Sequence, residues 1–397
     1  MIECNNADKL VIITAGGTGG HIFPALSIAN TLMDNGYKIL WIGATYGLEN
    51  DIVKKHNINI KNIDMVSLRN KGLFRAFKVI HLLVKSIYQT IRILKTNKPQ
   101  VVIGFGGYVS FPVILAARLL NIPTVIHEQN AIAGLSNKIL SKIVNVVCVA
   151  YGNVLKSNKT IITGNPIRQE FINNTHTKTQ TTTHNPQQNT IDSVDDNAKH
   201  KLNILIVGGS LGAGVFNNNI PKLINKLTNI AQIVHQTGKD KLDFVKNNYL
   251  SNYLHNSHEN KELTNNILIN DINVTIIEFI DDILSQYKQA DLLICRSGAI
   301  TVAEVSAIGI ATIFIPYPYA VDNHQFYNVK HLSDNKLAIV IEEKNLDIDI
   351  LAKIINNLSY DECKNMACRL REFSAHQNTN ITILNIINKL LAKYAKF

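Results

Sequence analysis

Several features are scarce in this 397-residue chain, and each scarcity excludes a class of protein. No run of about 18 residues is both apolar and free of charge, so no membrane-spanning helix is expected. Cysteine is sparse, with five dispersed residues of which only Cys363 and Cys368 lie close together. No Cys/His set has zinc spacing, so reduced cytosolic thiols are expected rather than a disulfide framework or a metal centre. The opening MIECNNADKL lacks the basic and then apolar regions of a secretory signal. Acidic residues are absent from 65 to 127, where Arg69, Lys71, Arg75, Lys78, Lys85, Arg92, Lys95 and Lys98 all fall. The formal net charge of +10 is therefore unevenly spread, and the local field suits a polyanion or an anionic membrane surface.

What is present is alternation. Apolar runs at 10–14, 38–42, 101–104, 124–127 and 146–150 are separated by helix-length segments. The second half repeats the scheme at 203–207, 231–235, 273–278, 291–295, 311–315 and 338–341. Continuous β-branched strands alternating with helices predict parallel sheets covered on both faces. The fold class is therefore α/β, with two Rossmann-like, doubly wound domains. The N-terminal domain is expected over 1–168 and the C-terminal domain over 202–374, with a final helix in 375–397 that could pack back on the first. The Asn/Thr/Gln-rich stretch 169–201 reads as a polar linker or insertion, because from 173 it has almost no large apolar side chains to offset its ordering entropy. A shorter polar stretch, 256–266, reads as a loop.

Each half opens on a strand followed by a glycine loop, Gly16-Gly17-Thr18-Gly19-Gly20-His21 and Gly208-Gly209-Ser210-Leu211-Gly212-Ala213. Neither has dinucleotide spacing or the Lys-Ser/Thr of a P-loop, and no acid closes the second strand, so a nicotinamide enzyme is disfavoured. Helix starts at such loops offer N–H groups to an anion, although tight strand-to-helix turns alone would also explain the glycines. In CRSGAITVAE, Ser297-Gly298 turns into a helix at Ala299, whose first amides could hold a diphosphate with Arg296 as counter-charge. Thr301-x-x-Glu304 also fits a capping box. The polar cluster Asp322-Asn323-His324-Gln325 suits sugar hydroxyls, or is a plain loop. Asp347-Ile348-Asp349 resembles a metal motif but reads as a helix start, so no divalent metal and no cofactor is expected.

GGTGGH, GFGGYVS, HEQN, GNPIR, GGSLGA, EFIDD, CRSGAITVAE and DNHQ follow in the order found in the MurG family, which this chain resembles over nearly its whole length. The family's members are UDP-N-acetylglucosamine transferases of peptidoglycan synthesis. The resemblance implies the GT-B arrangement of two facing domains with the site between them. It also implies inverting transfer of N-acetylglucosamine from UDP-GlcNAc to the 4-hydroxyl of undecaprenyl-diphospho-muramoylpentapeptide. By similarity, Ile280 would meet the uracil, Ser210, Ala299, Ile300 and Thr301 the diphosphate, and Val302 and Ala303 belong with the UDP-GlcNAc contacts. Glu304 would take the ribose, Gln325 the sugar hydroxyls, and Thr18, Gly19, Gly20, Asn130 and Arg168 complete the UDP-GlcNAc contacts. His21 is the candidate base because a neutral imidazole takes a proton near neutral pH, with anchoring of the glycine turn as its other reading. Glu128 is the second candidate. Phe111, where a smaller residue is usual, and the length of 173–201 depart from the family pattern.

The resemblance also gives the basic segment 71–98 a purpose. Leu73, Phe77, Ile80, Val84, Ile87, Ile91 and Leu94 recur at three and four residues with Arg75, Lys78, Lys85 and Arg92 alongside. Part of that stripe is core, and part would lie on an anionic bilayer. Peripheral attachment to the cytoplasmic face of the bacterial inner membrane follows as an expectation. A different lipid acceptor, a membrane-anchoring subunit and a nucleic-acid-binding protein are the rivals. Nothing resembles a nucleic-acid platform, and both halves carry motifs.

Overall fold

The computed structural model describes residues 9–65, 74–176, 200–209, 211–254, 265–374 and 378–394. Two compact units emerge, Met1–Gln169 with Ala375–Phe397, and Glu170–Ser374.

In the first unit the strands are β1 (Leu10–Thr14), β2 (Lys38–Ala44), β3 (Asn59–Ile63), β4 (Val101–Gly104), β5 (Thr124–Glu128), β6 (Val146–Val149) and β7 (Thr160–Ile162). They form one sheet in the order β3-β2-β1-β4-β5-β6-β7, with every neighbouring pair parallel. Its helices are α1 (Gly19–Asp34), α2 (Glu49–Lys55), α3 (Phe74–Asn97), α4 (Ser110–Leu119) and α5 (Leu135–Leu140), and α6 (Gln169–His176) begins at the boundary. One apolar cluster covers each face. Val11, Ile13, Trp41, Val101 and Ile103 meet α1 on one side, while Ile12, Ile42, Val102 and Val147 meet Leu94, Val113 and Ala117 on the other.

The second unit contains β8 (Leu202–Val207), β9 (Ile230–Gln236), β10 (Asn266–Ile269), β11 (Ile272–Ile277), β12 (Leu292–Cys295), β13 (Ala311–Phe314) and β14 (Ile339–Val340). The order is β10-β11-β9-β8-β12-β13-β14, parallel except for the β10–β11 hairpin. The helices are α7 (Gly214–Leu223), α8 (Leu242–Leu254), α9 (Ile283–Gln289), α10 (Ala299–Ile308), α11 (His324–Asp334), α12 (Ile348–Asn356) and α13 (Tyr360–Phe373). The last helix, α14 (Thr379–Tyr394), returns to the first unit. There Ile383, Leu384, Ile387 and Leu390 join the α1 cluster, and Asn380 Nδ2 donates to Ser27 Oγ (2.8 Å) and the Ile167 carbonyl (3.3 Å).

The two doubly wound sheets expected from the alternation are therefore present. Three strands escape the sequence pattern, β3, β7 and β10, and all three are sheet edges. An edge strand has one paired neighbour and more exposure, so it needs no continuous apolar run. Asn59–Ile63 shows this, with only Ile63 buried. The polar insertion starts later than the composition implies, because 173–176 extend α6, while 177–199 lie outside the described residues. Of the polar stretch 256–266, Asn266 opens β10 and 256–264 are outside the described residues.

Both sheets bury a histidine at a strand end. His127 on β5 and His235 on β9 are almost wholly inaccessible, and burial pushes their pKa values down to about 4 and about 3 from 6.5. In the unfolded chain each takes a proton below 6.5, whereas the folded chain refuses it until far lower pH. The unfolded state then binds more protons, and stability falls as pH drops. Each histidine is expected to remove about 1.4 kcal/mol per pH unit below its unfolded pKa. Urea unfolding between neutral pH and pH 5 checks this, and an unfolding free energy that holds or rises contradicts it.

Candidate functional site

In an open parallel sheet, ligands bind beyond the carboxyl ends of the strands where the strand order reverses. That reversal falls between β1 and β4 in the first unit and between β8 and β12 in the second. The loops after these four strands are GGTGGH, GFGGY, GGSLGA and CRSGAIT, so both pairs of glycine motifs stand at switch points.

In the first unit the two loops interlock. Gly107, at φ +78°, lies against the Gly16 backbone so closely that any Cβ would strike the Gly16 carbonyl. A Cβ on Gly106 would stand 3.0 Å from His21 Nδ1. Thr18, in extended conformation, precedes α1, so Gly19 and Gly20 open that helix and His21 lies in its first turn. Pro24 inside α1 has no N–H to return to the carbonyl of Gly20, an exposed residue. His21 Nδ1 is 3.1 Å from Gln129 Oε1.

Beneath this loop is a carboxylate that the sequence reading passed over. Glu49, in the first turn of α2, is fully buried and accepts from Ala44 N (2.8 Å) and Gly17 N (3.4 Å). Gly16, Gly43 and Gly47 all crowd it, and a Cβ on Gly16 would be 2.6 Å from Glu49 Oε1. The available signal was the glycine on each side of the β2 end, which makes room for one large buried side chain.

Glu128, at the end of β5, is 2% exposed and already saturated. Its oxygens accept from Asn130 N (3.0 Å), Asn130 Nδ2 (3.3 Å), Gly134 N (3.2 Å) and Asn137 Nδ2 (2.8 Å). A carboxylate with four donors shapes the HEQN loop and has little capacity left to take a substrate proton. Asn130 and Arg168 are both half-buried, Asn130 in that loop and Arg168 just before α6.

In the second unit the loop after β8 is closed by a turn, Gly212 N to Gly209 O at 2.8 Å. Gly209 and Gly212 take φ +85° and +66°, and Gly212 abuts the backbone of Thr237 and Gly238 after β9. Ser210 lies outside the described residues. Helix α10 opens on Gly298 as N-cap with no side-chain cap. Its first bond inside the helix comes from Val302 N to Gly298 O (2.9 Å), so the N–H groups of Ile300 and Thr301 have no intrahelical acceptor. Buried Ser297, just before the helix, has a hydroxyl oxygen with no hydrogen-bond partner among the described residues.

Three sequence expectations are corrected here, and a fourth, that the α3 stripe is only partly core, agrees with the structure. Thr301 and Glu304 do not form a capping box, since both lie inside α10 and Gly298 is the cap. Val302 and Ala303 are fully buried, and the Val302 amide is committed, so both support the helix start from behind. Arg296 is not an unattached counter-charge. Its Nη1 pairs with Glu343 Oε2 (2.6 Å) and donates to the Ile315 and Pro316 carbonyls (3.1 and 3.2 Å), and the guanidinium lies over Phe216 and Tyr317. The stripe on α3 also divides. Leu94 is buried and Ile87 and Ile91 pack on the core, whereas Ile80 and Val84 are 58% and 62% exposed; Leu73 lies outside the described residues.

The remaining candidates flank the same sheet ends. Ile280 follows β11 and is 9% exposed beside exposed Phe279. Glu304 is buried in the second turn of α10. Gln325 lies in the first turn of α11, which His324 opens after two left-handed residues, Asp322 and Asn323, and its Oε1 accepts from Tyr317 N at 2.9 Å. Asp347 caps α12 through Asp349 N and Ile350 N, as a helix start requires, and Asp349 pairs with Lys226. No group of three or more His, Cys, Asp or Glu that could hold a metal occurs among the described residues.

The comparisons with known proteins agree with this geometry. The sequence model for the glycosyltransferase family 28 N-terminal domain matches residues 11–149, and that for the family 28 C-terminal domain matches 203–381. A protein of Burkholderia pseudomallei (strain 1106a) is 36% identical over 377 residues, 94% of this chain and 95% of that protein. One of Cupriavidus pinatubonensis is 36% identical over 361 residues, 90% and 92% of the two chains. Both bear the name UDP-N-acetylglucosamine–N-acetylmuramyl-(pentapeptide) pyrophosphoryl-undecaprenol N-acetylglucosamine transferase. The crystal structure of Acinetobacter baumannii MurG superposes with a TM-score of 0.74 at 33% identity, covering 96% of this chain and 99% of that one. The two parallel-sheet domains match the GT-B fold.

Glu49→Ala leaves the buried Ala44 N–H without its acceptor and empties the space between three glycines. A loss of about 1–3 kcal/mol in unfolding free energy is expected by urea titration. An unchanged midpoint would show that Glu49 does not support the loop.

Proposed function

This chain belongs to glycosyltransferase family 28, and from that premise we propose that it moves N-acetylglucosamine from UDP-N-acetylglucosamine to undecaprenyl-diphospho-N-acetylmuramoyl-pentapeptide in peptidoglycan synthesis. The observation that carries the reading is similarity over more than nine-tenths of the chain to transferases named for that donor and acceptor. The acceptor 4-hydroxyl attacks the anomeric carbon with inversion. Its proton passes to His21, the new O–C bond forms, and the bond from C1 to the phosphate oxygen breaks with its electron pair leaving on UDP. The saturated hydrogen bonding of Glu128 favours His21 as that base.

The departing diphosphate needs positive potential in place before the bond breaks. The uncapped start of α10 supplies it through amides at Ile300 and Thr301 and the positive end of the helix dipole. Asp347 and Asp349 serve as a helix cap and an ion-pair partner of Lys226, which supports reading DxD here as a helix start rather than a metal motif. Ile280, Glu304 and Gln325, on loops or helix turns at the same sheet end, would take the uracil, ribose and sugar. Thr18, Gly19 and Gly20, with Asn130 and Arg168, would complete the contacts from the motifs of the first unit.

A lipid-linked acceptor requires access to the bilayer, and we read the outer face of α3 as part of that contact. Ile80, Val84 and Tyr88 form an exposed line one helical turn apart, with Lys85, Arg92 and Lys95 exposed around it. Lys85 is held by Asp64 at 2.8 Å, so Arg92 and Lys95 carry more of the available charge. Leu135, Ile139 and Ile143 repeat the pattern on and after α5 beside Lys138 and Lys142. No helix among the described residues is long and apolar enough to cross a membrane. We read the attachment as peripheral, through this outer face of α3, at the cytoplasmic face of the inner membrane.

Incubation with radiolabelled UDP-N-acetylglucosamine and the muramoyl lipid should carry label into the butanol phase. Label that stays aqueous, while another sugar nucleotide reacts, overturns the activity. In a separate test, replacing Ile80, Val84 and Tyr88 by Ser, or Arg92 and Lys95 by Gln, should reduce co-sedimentation with phosphatidylglycerol vesicles. Undiminished binding in both variants refutes the membrane face.

A further inference from the structure

We propose that His127 and Gln129 are positioning residues that fix the tautomer of His21, placing its hydrogen on Nδ1 and leaving Nε2 unprotonated to receive a proton. The inference rests on the reading of His21 as the base and adds what prepares it.

The reasoning starts from a group whose role is fixed. The Gly164 carbonyl can only accept, and His127 Nε2 lies 2.9 Å from it, so Nε2 carries a hydrogen. The His127 ring is buried and stacked on Phe105 at 5.6 Å. Burial pushes its pKa down to about 4, so near neutral pH it holds one proton only. Nδ1 of His127 is then an acceptor. Facing it at 3.2 Å is the side-chain amide of Gln129, which must present its NH2 group. That nitrogen also reaches the His127 carbonyl at 3.3 Å, a second contact that only a donor satisfies.

With the nitrogen end of Gln129 assigned, its oxygen end is left for His21. The distance from Gln129 Oε1 to His21 Nδ1 is 3.1 Å. An amide oxygen cannot donate, so His21 Nδ1 must bear the hydrogen, and in a neutral ring Nε2 has the lone pair. Free histidine favours the opposite tautomer, so the protein has to impose this one. The chain also has the rigidity for the task. Gln129 is wholly buried, and its carbonyl accepts from Asn165 Nδ2 at 3.0 Å. Gly164 O also accepts from Thr163 Oγ1 (3.1 Å), and the Thr163 carbonyl accepts from Thr379 Oγ1 (2.6 Å) at the start of α14. On the far side, Gly106 leaves the space that the His21 ring occupies.

Gln129 thus takes the part that a carboxylate plays behind catalytic histidines elsewhere, with one difference. A carboxylate would also stabilise the imidazolium by charge. A neutral amide sets orientation and tautomer without that charge, and the proton is released more readily when the ring must discharge it.

The test combines kinetics with isotope-edited imidazole NMR of the full chain. The wild-type protein should show His21 as the Nδ1–H form and His127 as the Nε2–H form. Gln129→Leu should return His21 to the Nε2–H form and lower kcat by roughly 10²-fold, with KM for UDP-N-acetylglucosamine little changed. Gln129→Glu keeps an oxygen toward His21 and should preserve its Nδ1–H signature, while the second oxygen, standing where the NH2 group was, should draw a hydrogen onto His127 Nδ1 and change the His127 spectrum. A wild-type His21 in the Nε2–H form, or a folded Gln129→Leu variant with normal kcat, overturns the relay. Should Gln129→Leu fail to fold, the wild-type spectrum decides alone. His21→Ala distinguishes the underlying reading, since normal turnover in that variant would refute His21 as the base whatever the tautomer.

Discussion

The structure depends on a steric constraint that recurs in each domain: a glycine loop beside the switch point of the sheet comes closer to a neighbouring backbone than any Cβ allows. Gly107 rests on the Gly16 carbonyl in the first unit, and Gly212 rests on Thr237 and Gly238 in the second. Several of these glycines adopt positive φ, which other residues reach only with strain. The contact in the first unit fixes where His21 stands, because Gly106 on the same loop borders the imidazole. It also encloses Glu49, whose carboxylate receives backbone N–H groups from β2 and from the glycine loop. The contact in the second unit ties the loop after β8 to the chain leaving β9, while β12, which leads into α10, pairs with β8 on its other side.

Charge is distributed with similar economy. Arg296, the nearest cation in sequence to the proposed diphosphate site, is neutralised by Glu343 and sandwiched against aromatic rings. The positive potential left at α10 is that of backbone amides, which need no side-chain reorganisation when a leaving group develops charge. In the first unit the lysines and arginines collect on the outer surface of α3 and near α5, away from the glycine loops in the sequence. On the proposed reading, one set of cations serves a membrane surface and one helix terminus serves a ligand.

The sequence made the central strands legible because a strand buried on both faces must be a continuous apolar run, as in Leu10–Thr14 and Leu292–Cys295. Edge strands such as Asn59–Ile63 obey a weaker demand and left no such mark. The helix start at Ala299 was legible from Ser-Gly after a strand, but its cap was not, because Thr301-x-x-Glu304 satisfies the same pattern one turn later. Ionic partners over long separation are invisible to local reading, and Arg296–Glu343 is the example. Gln129 lay inside a recognised motif and went unremarked, since its role appears only when His127 and Gly164 meet it in space. The family resemblance added what no spacing could, the identity of the donor and acceptor.

On the proposed reading, backbone amides at the switch point of the second domain grip the UDP moiety, while the matching loop of the first domain meets only the transferred sugar and the acceptor. Hydrogen–deuterium exchange of the full chain with and without UDP tests that division most directly. Slowed exchange is expected in peptides spanning 208–215 and 296–304, with little change across 14–22. Protection confined to 14–22, with the second-domain peptides unaffected, would contradict the claim.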